Sequence, residues 1–365
     1  MGGRNKKVCE ESPAKKGGIR GKTVPASLSV GMVLAHDITE VRPDFKGRAF
    51  RKGHIIKEED IPHLLRLGKE NLHVLDLAPE EMHEDEAAEV LAAALMGEGV
   101  EASGAPHEGK INVVASIDGL LKVDKEALRE FNIQGEVMCA TLHGNSVVKK
   151  GQKVAATRAI PLVVDRSTVE LAAGIARANG GMVKVVPMRK PRAGVVITGG
   201  EVFSGRIKDA FAPVIRGKIE AFGGEIIGVA YAPDDENYIA ARLREFMDMG
   251  ADLLVATGGM SVDPDDVTRF AIRGLGARDI AYGAAVLPGS MFLSASVLNG
   301  KGASIPVIGV PTCAMYGKTT ILDLVLPRIL AGEHIGRREL AELGHGGLCL
   351  QCKVCRWPVC PFGKI

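Results

Sequence analysis

Two sets of side chains in this sequence are suited to chemistry. The first is a series of glycine-containing turns, each at the end of a short apolar run. They are Thr198-Gly199-Gly200-Glu201, Thr257-Gly258-Gly259-Met260-Ser261, Leu287-Pro288-Gly289-Ser290 and Val310-Pro311-Thr312. Glycine has no Cβ, so its backbone N–H can come close to an anion. A helix beginning behind such a turn adds partial positive charge. Ser261, Ser290, Thr312 and Thr268 can add hydroxyl donors. The guest that suits such turns is a phosphate with polar attachments. Acids follow close behind: Asp263, Asp265 and Asp266 after the second turn, and Asp234, Asp235 and Glu236 after another strand. Carboxylates beside a phosphate site point to Mg²⁺ or another hard cation between them. The same acids also suit the capping of a helix.

The second set lies at the C-terminus. LCLQCKVCRWPVCPFGK places Cys349, Cys352, Cys355 and Cys360 in a C-x2-C-x2-C-x4-C run followed by Pro361. Four thiolates can hold Zn²⁺ tetrahedrally or carry an iron–sulfur cluster. The bacterial ferredoxin run has three residues before its last Cys, one fewer than here. Zinc, iron–sulfur and free thiols all stay open. Cys9, Cys139 and Cys313 are scattered. Cys313 falls on a strand-end turn, where contact with a dithiolene or metal and burial as an inert thiol are both open. This clustering suits metal ligation in a reducing cytoplasm better than a disulfide scaffold.

Composition narrows the classes. At 365 residues the chain has room for two or three domains. The net charge of +2 gives no argument for a nucleic-acid or membrane partner, and 4% aromatics with one Trp disfavour a base-stacking surface. Arg4, Lys6, Lys7, Lys15, Lys16, Arg20 and Lys22 crowd the start, with no apolar run after them. Residues 1–24 therefore read as a basic, solvated tail rather than a signal peptide or membrane span. No segment matches G-x-x-x-x-G-K-[ST], and no clean G-x-G-x-x-G follows a strand. A P-loop nucleotidase and a nicotinamide Rossmann domain are both disfavoured.

The elements that must position these residues fall into two halves. Residues 25–190 read as mixed α+β with many hairpins. GHIIKEEDIPHLLRLGKENLHVL gives strand, helix, strand, with acids in the first turn of the helix. Residues 79–97 predict a helix begun by Pro79, INVVASIDGLLKV predicts a hairpin turning at Asp118-Gly119, and Thr168–Asn179 predicts another helix. From residue 191 to 335, strands and helices alternate, which implies a parallel sheet covered by helices. The expected helices are Asp209–Phe222, Glu236–Met249, Asp265–Leu275 and Tyr316–Leu330. The boundary is placed at the basic, Pro-containing stretch Pro187–Arg192. Residues 336–365 form a Cys-rich tail. In an open parallel sheet, ligands collect beyond the carboxyl ends of the strands, and all four turns lie there.

On these residues, segment 191–335 resembles the molybdopterin-binding domain of molybdopterin adenylyltransferases and molybdopterin molybdotransferases. The family's Gly-Gly-x-Ser-x-Gly-x-x-Asp signature corresponds to TGGMSVDPDD, with Gly258, Gly259, Ser261 and Asp266 in place. TGGEVFSGRIKDAF is similar to its Thr-Gly-Asp-Glu segment, YAPDDENYI to its next acidic turn, and LPGSM and GVPTCAMYGKTTILDLVLPRIL to its two Pro-Gly turns and closing helix. Residues 25–190 more loosely resemble the N-terminal region of the molybdotransferase branch.

The resemblance implies a three-layer parallel-sheet domain that binds molybdopterin or its adenylylated form. Thr198, Gly199, Gly200, Glu201, Gly258, Gly259, Ser261, Pro288, Gly289, Ser290, Pro311 and Thr312 would contact the ligand. It implies Asp266 and Asp209 as catalytic residues. Asp234, Asp235 and Asp266 would hold Mg²⁺ or orient molybdate or tungstate. A homodimer or homotrimer is also implied. The departures are Gly200 where the family has Asp, Asp263 where Gly is usual, no Lys in LPGSM, and Pro311-Thr312-Cys313-Ala314 in the second Pro-Gly turn. They set two alternatives beside a metal-inserting enzyme. One is a non-catalytic cofactor carrier or sensor. The other is a competence-damage-type pyrophosphatase, which shares the fold.

Overall fold

Runs of aliphatic residues without polar interruption mark strands buried on both faces. Residues 193–198, 253–257 and 307–310 are buried throughout. The computed structural model describes residues 21–42, 45–75, 77–261, 263 and 266–364, and it places these runs in one six-stranded sheet. Its strands are β1 (Arg192–Thr198), β2 (Glu225–Ala232), β3 (Leu253–Thr257), β4 (Arg278–Tyr282), β5 (Leu293–Leu298) and β6 (Ser304–Val310). Across the sheet the order is β2-β1-β3-β6-β5-β4. The first four are parallel neighbours, and β5 runs antiparallel to both β6 and β4. The expected parallel sheet is present, and it carries an antiparallel strand toward one side. Residues 299–303 alone join β5 to β6, whereas a parallel crossover needs about a dozen residues or more.

Helices cover both faces. They are α1 (Gly200–Phe203), α2 (Phe211–Glu220), α3 (Glu236–Asp248), α4 (Thr268–Gly274), α5 (Cys313–Tyr316), α6 (Ile321–Leu330) and α7 (Arg337–Glu342). Alternate strand residues face opposite ways. Val195, Ile197, Val255 and Ile308 share one core with Ile215 of α2, Val325 of α6 and Leu340 of α7. Val196, Leu254, Ala256 and Val307 share another with Leu243 of α3 and Ile272 of α4. Three α/β/α layers result. Leu343 and Phe362 also belong to the first core. The segment read as a tail from 336 is therefore packed on the α/β unit.

The first half is mixed α+β. A small core of Leu34, Ile38, Phe50, Ile56, Leu64, Leu72 and Val74 holds residues 21–75. Its first strand is Gly21–Pro25, so regular structure begins inside the stretch read as tail. The rest of that stretch, with Cys9, lies outside the described residues.

A second core joins a four-stranded and a three-stranded sheet to helices Glu84–Leu95, Lys125–Ile133 and Arg166–Arg177. The helix expected over 79–97 is preceded by a strand, Glu81–His83. The hairpin expected at Asp118-Gly119 does not form. Lys110–Ala115 pairs with Lys153–Ala159, while Gly119–Val123 pairs with Val183–Val186 in another sheet. Asp118 instead accepts the backbone N–H of Lys150 and the Lys149 ammonium.

Glu84 caps this core uneasily. Burial pushes its carboxyl up, Asp85 adds to the rise, and His83 and Arg158 oppose it. A carboxyl whose pKa is higher in the fold costs stability while ionised, and that cost vanishes once it is protonated in both states. Glu84→Gln is therefore expected to melt higher than the parent at neutral pH, with the gap closing as pH falls below the ordinary carboxylate range. Thermal melts across pH check this, and a gap that widens in acid would contradict it.

Candidate functional site

Strand register brings the four turns to one edge. Ala232 lies opposite Thr198, Ile197 opposite Thr257, Thr257 opposite Val310, and Gly309 opposite Leu293. The carboxyl ends of β2, β1, β3 and β6 thus align with the start of β5. Because β5 is antiparallel, the loop carrying Pro288, Gly289 and Ser290 enters at this same edge.

The centre is the turn after β3. Gly258 and Gly259 have φ of +84° and +56°, the left-handed region that favours glycine. They also pack too closely for any other residue. A Cβ on Gly258 would lie 2.6 Å from the Thr198 carbonyl oxygen, and one on Gly259 2.5 Å from Thr268 Oγ1. The Thr198 hydroxyl donates to the Thr257 carbonyl at 3.0 Å and lies 3.1 Å from Thr268 Oγ1. The turn is therefore fixed by buried hydroxyls from β1 and α4. Among the described residues Thr257 Oγ1 is buried with no hydrogen-bond partner, so one polar group at the base of this turn is left unsatisfied by them. Tyr282, at the end of β4, donates its hydroxyl to the Met260 carbonyl at 2.6 Å and holds the far side. Ser261 follows, partly exposed.

Around it lie the other expected contacts. Gly199 has φ of +133° and leads into α1, which carries Gly200 and Glu201. The Gly200 N–H donates to Asp234 Oδ2 at 2.9 Å. Gly200 itself has no left-handed φ, and the nearest atom to a Cβ there would be Asp234 Oδ2 at 3.6 Å. The Asp234 carboxylate thus stands beside the position where the family has its Asp. Gly289, at φ +132°, sits against Ile321 of α6, and the Pro288 carbonyl accepts the Ile321 N–H. Ser290 is exposed. Pro311 is buried and Thr312 precedes α5.

The acids are tied to the backbone. Asp209 accepts the N–H groups of Phe211 and Ala212 at the start of α2, and takes the Tyr231 hydroxyl at 3.2 Å. Burial, with the Asp209 charge adding to it, raises the Tyr231 pKa. Asp235 caps α3 through the Tyr238 N–H at 2.7 Å. Asp266 accepts the Asp263 N–H at 3.0 Å, and Asp265 lies outside the described residues. Among the described residues no three His, Cys, Asp or Glu side chains are gathered closely enough to hold a single metal ion. Among the described residues these carboxylates do not converge on one point, and each accepts a backbone N–H at a helix start or turn.

The cysteine run does not trail away. Leu287 donates its N–H to the Gly347 carbonyl and accepts that of Cys349, both at 2.8 Å. The run is thereby stitched to the loop bearing Pro288. A cleft of about 460 Å³ opens between them. Cys313, Cys349, Cys352, Cys355 and Cys360 all line it, as does Pro288. The Thr319 hydroxyl beside Cys355, at 3.3 Å, and the Trp357 N–H lower that thiol's pKa. Burial raises that of Cys313. Cys139 sits in the core of the first half, its pKa pushed up to about 12 by burial. Sequence reasoning named Thr257 as part of its turn but gave it no role, and missed Tyr231 and Tyr282. The first has a signal, as the last residue before Gly258, while the tyrosines show theirs only once the strands are placed side by side.

Known proteins share parts of this chain. Residues 194–331 match the family described as "Probable molybdopterin binding domain", and residues 23–76 match a "Domain of unknown function (DUF8806)". The chain is similar to a CinA-like protein of Mycobacterium avium, 34% identical over 137 residues, covering 32% of this chain and 31% of that one. It is similar to a CinA-like protein of Mycobacterium tuberculosis, 39% identical over 77 residues, covering 21% and 18%. It thus spans under a third of these relatives' length. Among solved structures it is similar to the tungsten cofactor synthesizing protein MoaB of Pyrococcus furiosus, 18% identical, covering 40% of this chain and 97% of that one, with a TM-score of 0.31. Among the described residues no helix is long and apolar enough to cross a membrane.

Proposed function

We propose, from a chain whose residues 194–331 match the family described as "Probable molybdopterin binding domain", that the edge around Gly258-Gly259 binds molybdopterin or its adenylylated form and that the protein acts in molybdenum or tungsten cofactor biosynthesis. The observation that carries this reading is the turn after β3. Two glycines there are excluded from bearing side chains by Thr198 and Thr268, beside an unsatisfied buried Thr257 hydroxyl. Such a turn presents backbone to a phosphate, with Ser261 on its rim and α4 behind it.

The protein's part is binding and orientation. The Thr198–Thr268 pair fixes the turn, Tyr282 holds its far side through Met260, and Asp266 closes the loop at Asp263. With its acids tied to backbone, the site suits a cofactor carrier or sensor better than a metal-inserting molybdotransferase. Release of AMP from adenylylated molybdopterin with Mg²⁺ and molybdate would reverse that order. A second reading, pyrophosphate hydrolysis by the same turn, is favoured by the CinA-like names of the relatives. Cleavage of ADP-ribose is its test.

Asp266→Ala removes one hydrogen bond from the loop and leaves the cores untouched. It is expected to weaken molybdopterin binding about tenfold, the loss of about 1.4 kcal/mol, with the melting temperature nearly unchanged. Binding equal to the parent protein would remove the loop from the site.

A further inference from the structure

Five thiols facing one cleft need an account that the pterin reading does not supply. The cleft has two walls. One is residues 313–319, which lead into α6. The other is residues 348–362, pinned to Leu287. We propose that this cleft binds a [4Fe–4S] cluster through Cys349, Cys352, Cys355 and Cys313.

Three observations carry the proposal. First, the five cysteines line one volume. A tetrahedral zinc site brings four sulfurs to about 2.3 Å from one centre and needs no cavity. A cube of iron and sulfide takes its ligands at its corners and needs a space between them, and a cleft of about 460 Å³ offers it.

Second, the spacing assigns three corners. In C-x2-C-x2-C runs the three cysteines serve one cluster, and the next cysteine of the ferredoxin run ligates a different one. The fourth corner then needs a thiol from a separate segment. Cys313 is the one present, across the cleft on α5. Cys360 is left as the spare thiol.

Third, the wall has the right chemistry. Four thiolates make a bound cluster anionic, and Lys318 and Arg356 line the cleft. Trp357, Phe362 and Leu348 supply apolar cover, and both charge and exposure tune such clusters. Binding moves no electrons. Four thiols release protons to solvent as four Sγ–Fe bonds form.

The proposal stands apart from the pterin reading, since it uses none of the Gly258 turn. The test is anaerobic loading of the full chain with equal ferric and ferrous iron plus sulfide, followed by desalting and analysis. The expected result is about four iron and four sulfide per chain, with broad visible absorption bleached by dithionite. Cys355→Ser and Cys313→Ser should each lose at least a quarter of the iron, and Cys360→Ser should load like the parent. Circular dichroism melts confirm that all three variants fold. Uptake of one zinc and no iron would overturn the cluster. Full loading of Cys313→Ser with an empty Cys360→Ser would overturn the ligand assignment.

Discussion

Replacing Gly258 with Ala is expected to reduce affinity for molybdopterin by at least about tenfold and to lower stability by about 1–3 kcal/mol. Two effects combine. The backbone sits at φ +84°, where an L side chain is strained. The new Cβ would also lie 2.6 Å from the Thr198 carbonyl, a backbone atom that cannot swing aside. β1 and the turn must move apart, which shifts the donors facing the ligand. Gly274→Ala is the control. It lies in α4, where an added methyl group would meet nothing within 4 Å and the backbone has no left-handed φ. It should leave binding unchanged and add about 0.5–1 kcal/mol of helix stability. Equal effects in the two variants would mean that the turn is not the binding element.

The second large effect concerns the joint between the halves. Arg328 of α6 is buried, its Nε 3.0 Å from Glu333 Oε2. Lys122, from the first half, lies 2.8 Å from Glu333 Oε1. One carboxylate thus answers two cations from different halves. Glu333→Ala is expected to cost about 2–3 kcal/mol. That is below the value for a fully buried pair, because Glu333 keeps some solvent contact. Most of the loss comes from leaving Arg328 buried without its partner. Glu333→Gln, which keeps hydrogen bonds but not charge, should recover part of it. Denaturant unfolding of both variants is the check. A loss under about 0.5 kcal/mol for Glu333→Ala, typical of a surface change, would contradict the account.

The readable parts of the sequence are those where one physical demand dominates. Residues 193–198 and 253–257 must be strands because they are buried on both faces, and Gly258-Gly259 must turn. The α/β class and the order of the four turns follow from those runs. Pairing partners are not readable, since they depend on distant residues. Asp118-Gly119 has hairpin chemistry, yet its flanking strands belong to different sheets. The reversed direction of β5 escapes a reading by alternation because no helix separates it from β4 or from β6. The acids have the types of cation ligands, but only the structure shows Asp209, Asp235 and Asp266 bonded to backbone N–H groups. Cys313 and the C-terminal run are far apart in sequence. The bond from Cys349 to Leu287 brings them to one cleft.

The most direct test of the central claim is anaerobic titration of the full chain with molybdopterin and with its adenylylated form, followed by both binding and nucleotide release. The account predicts saturable binding of at least one form, weakened by Gly258→Ala and preserved in Gly274→Ala. No binding of either form by the parent protein would contradict it.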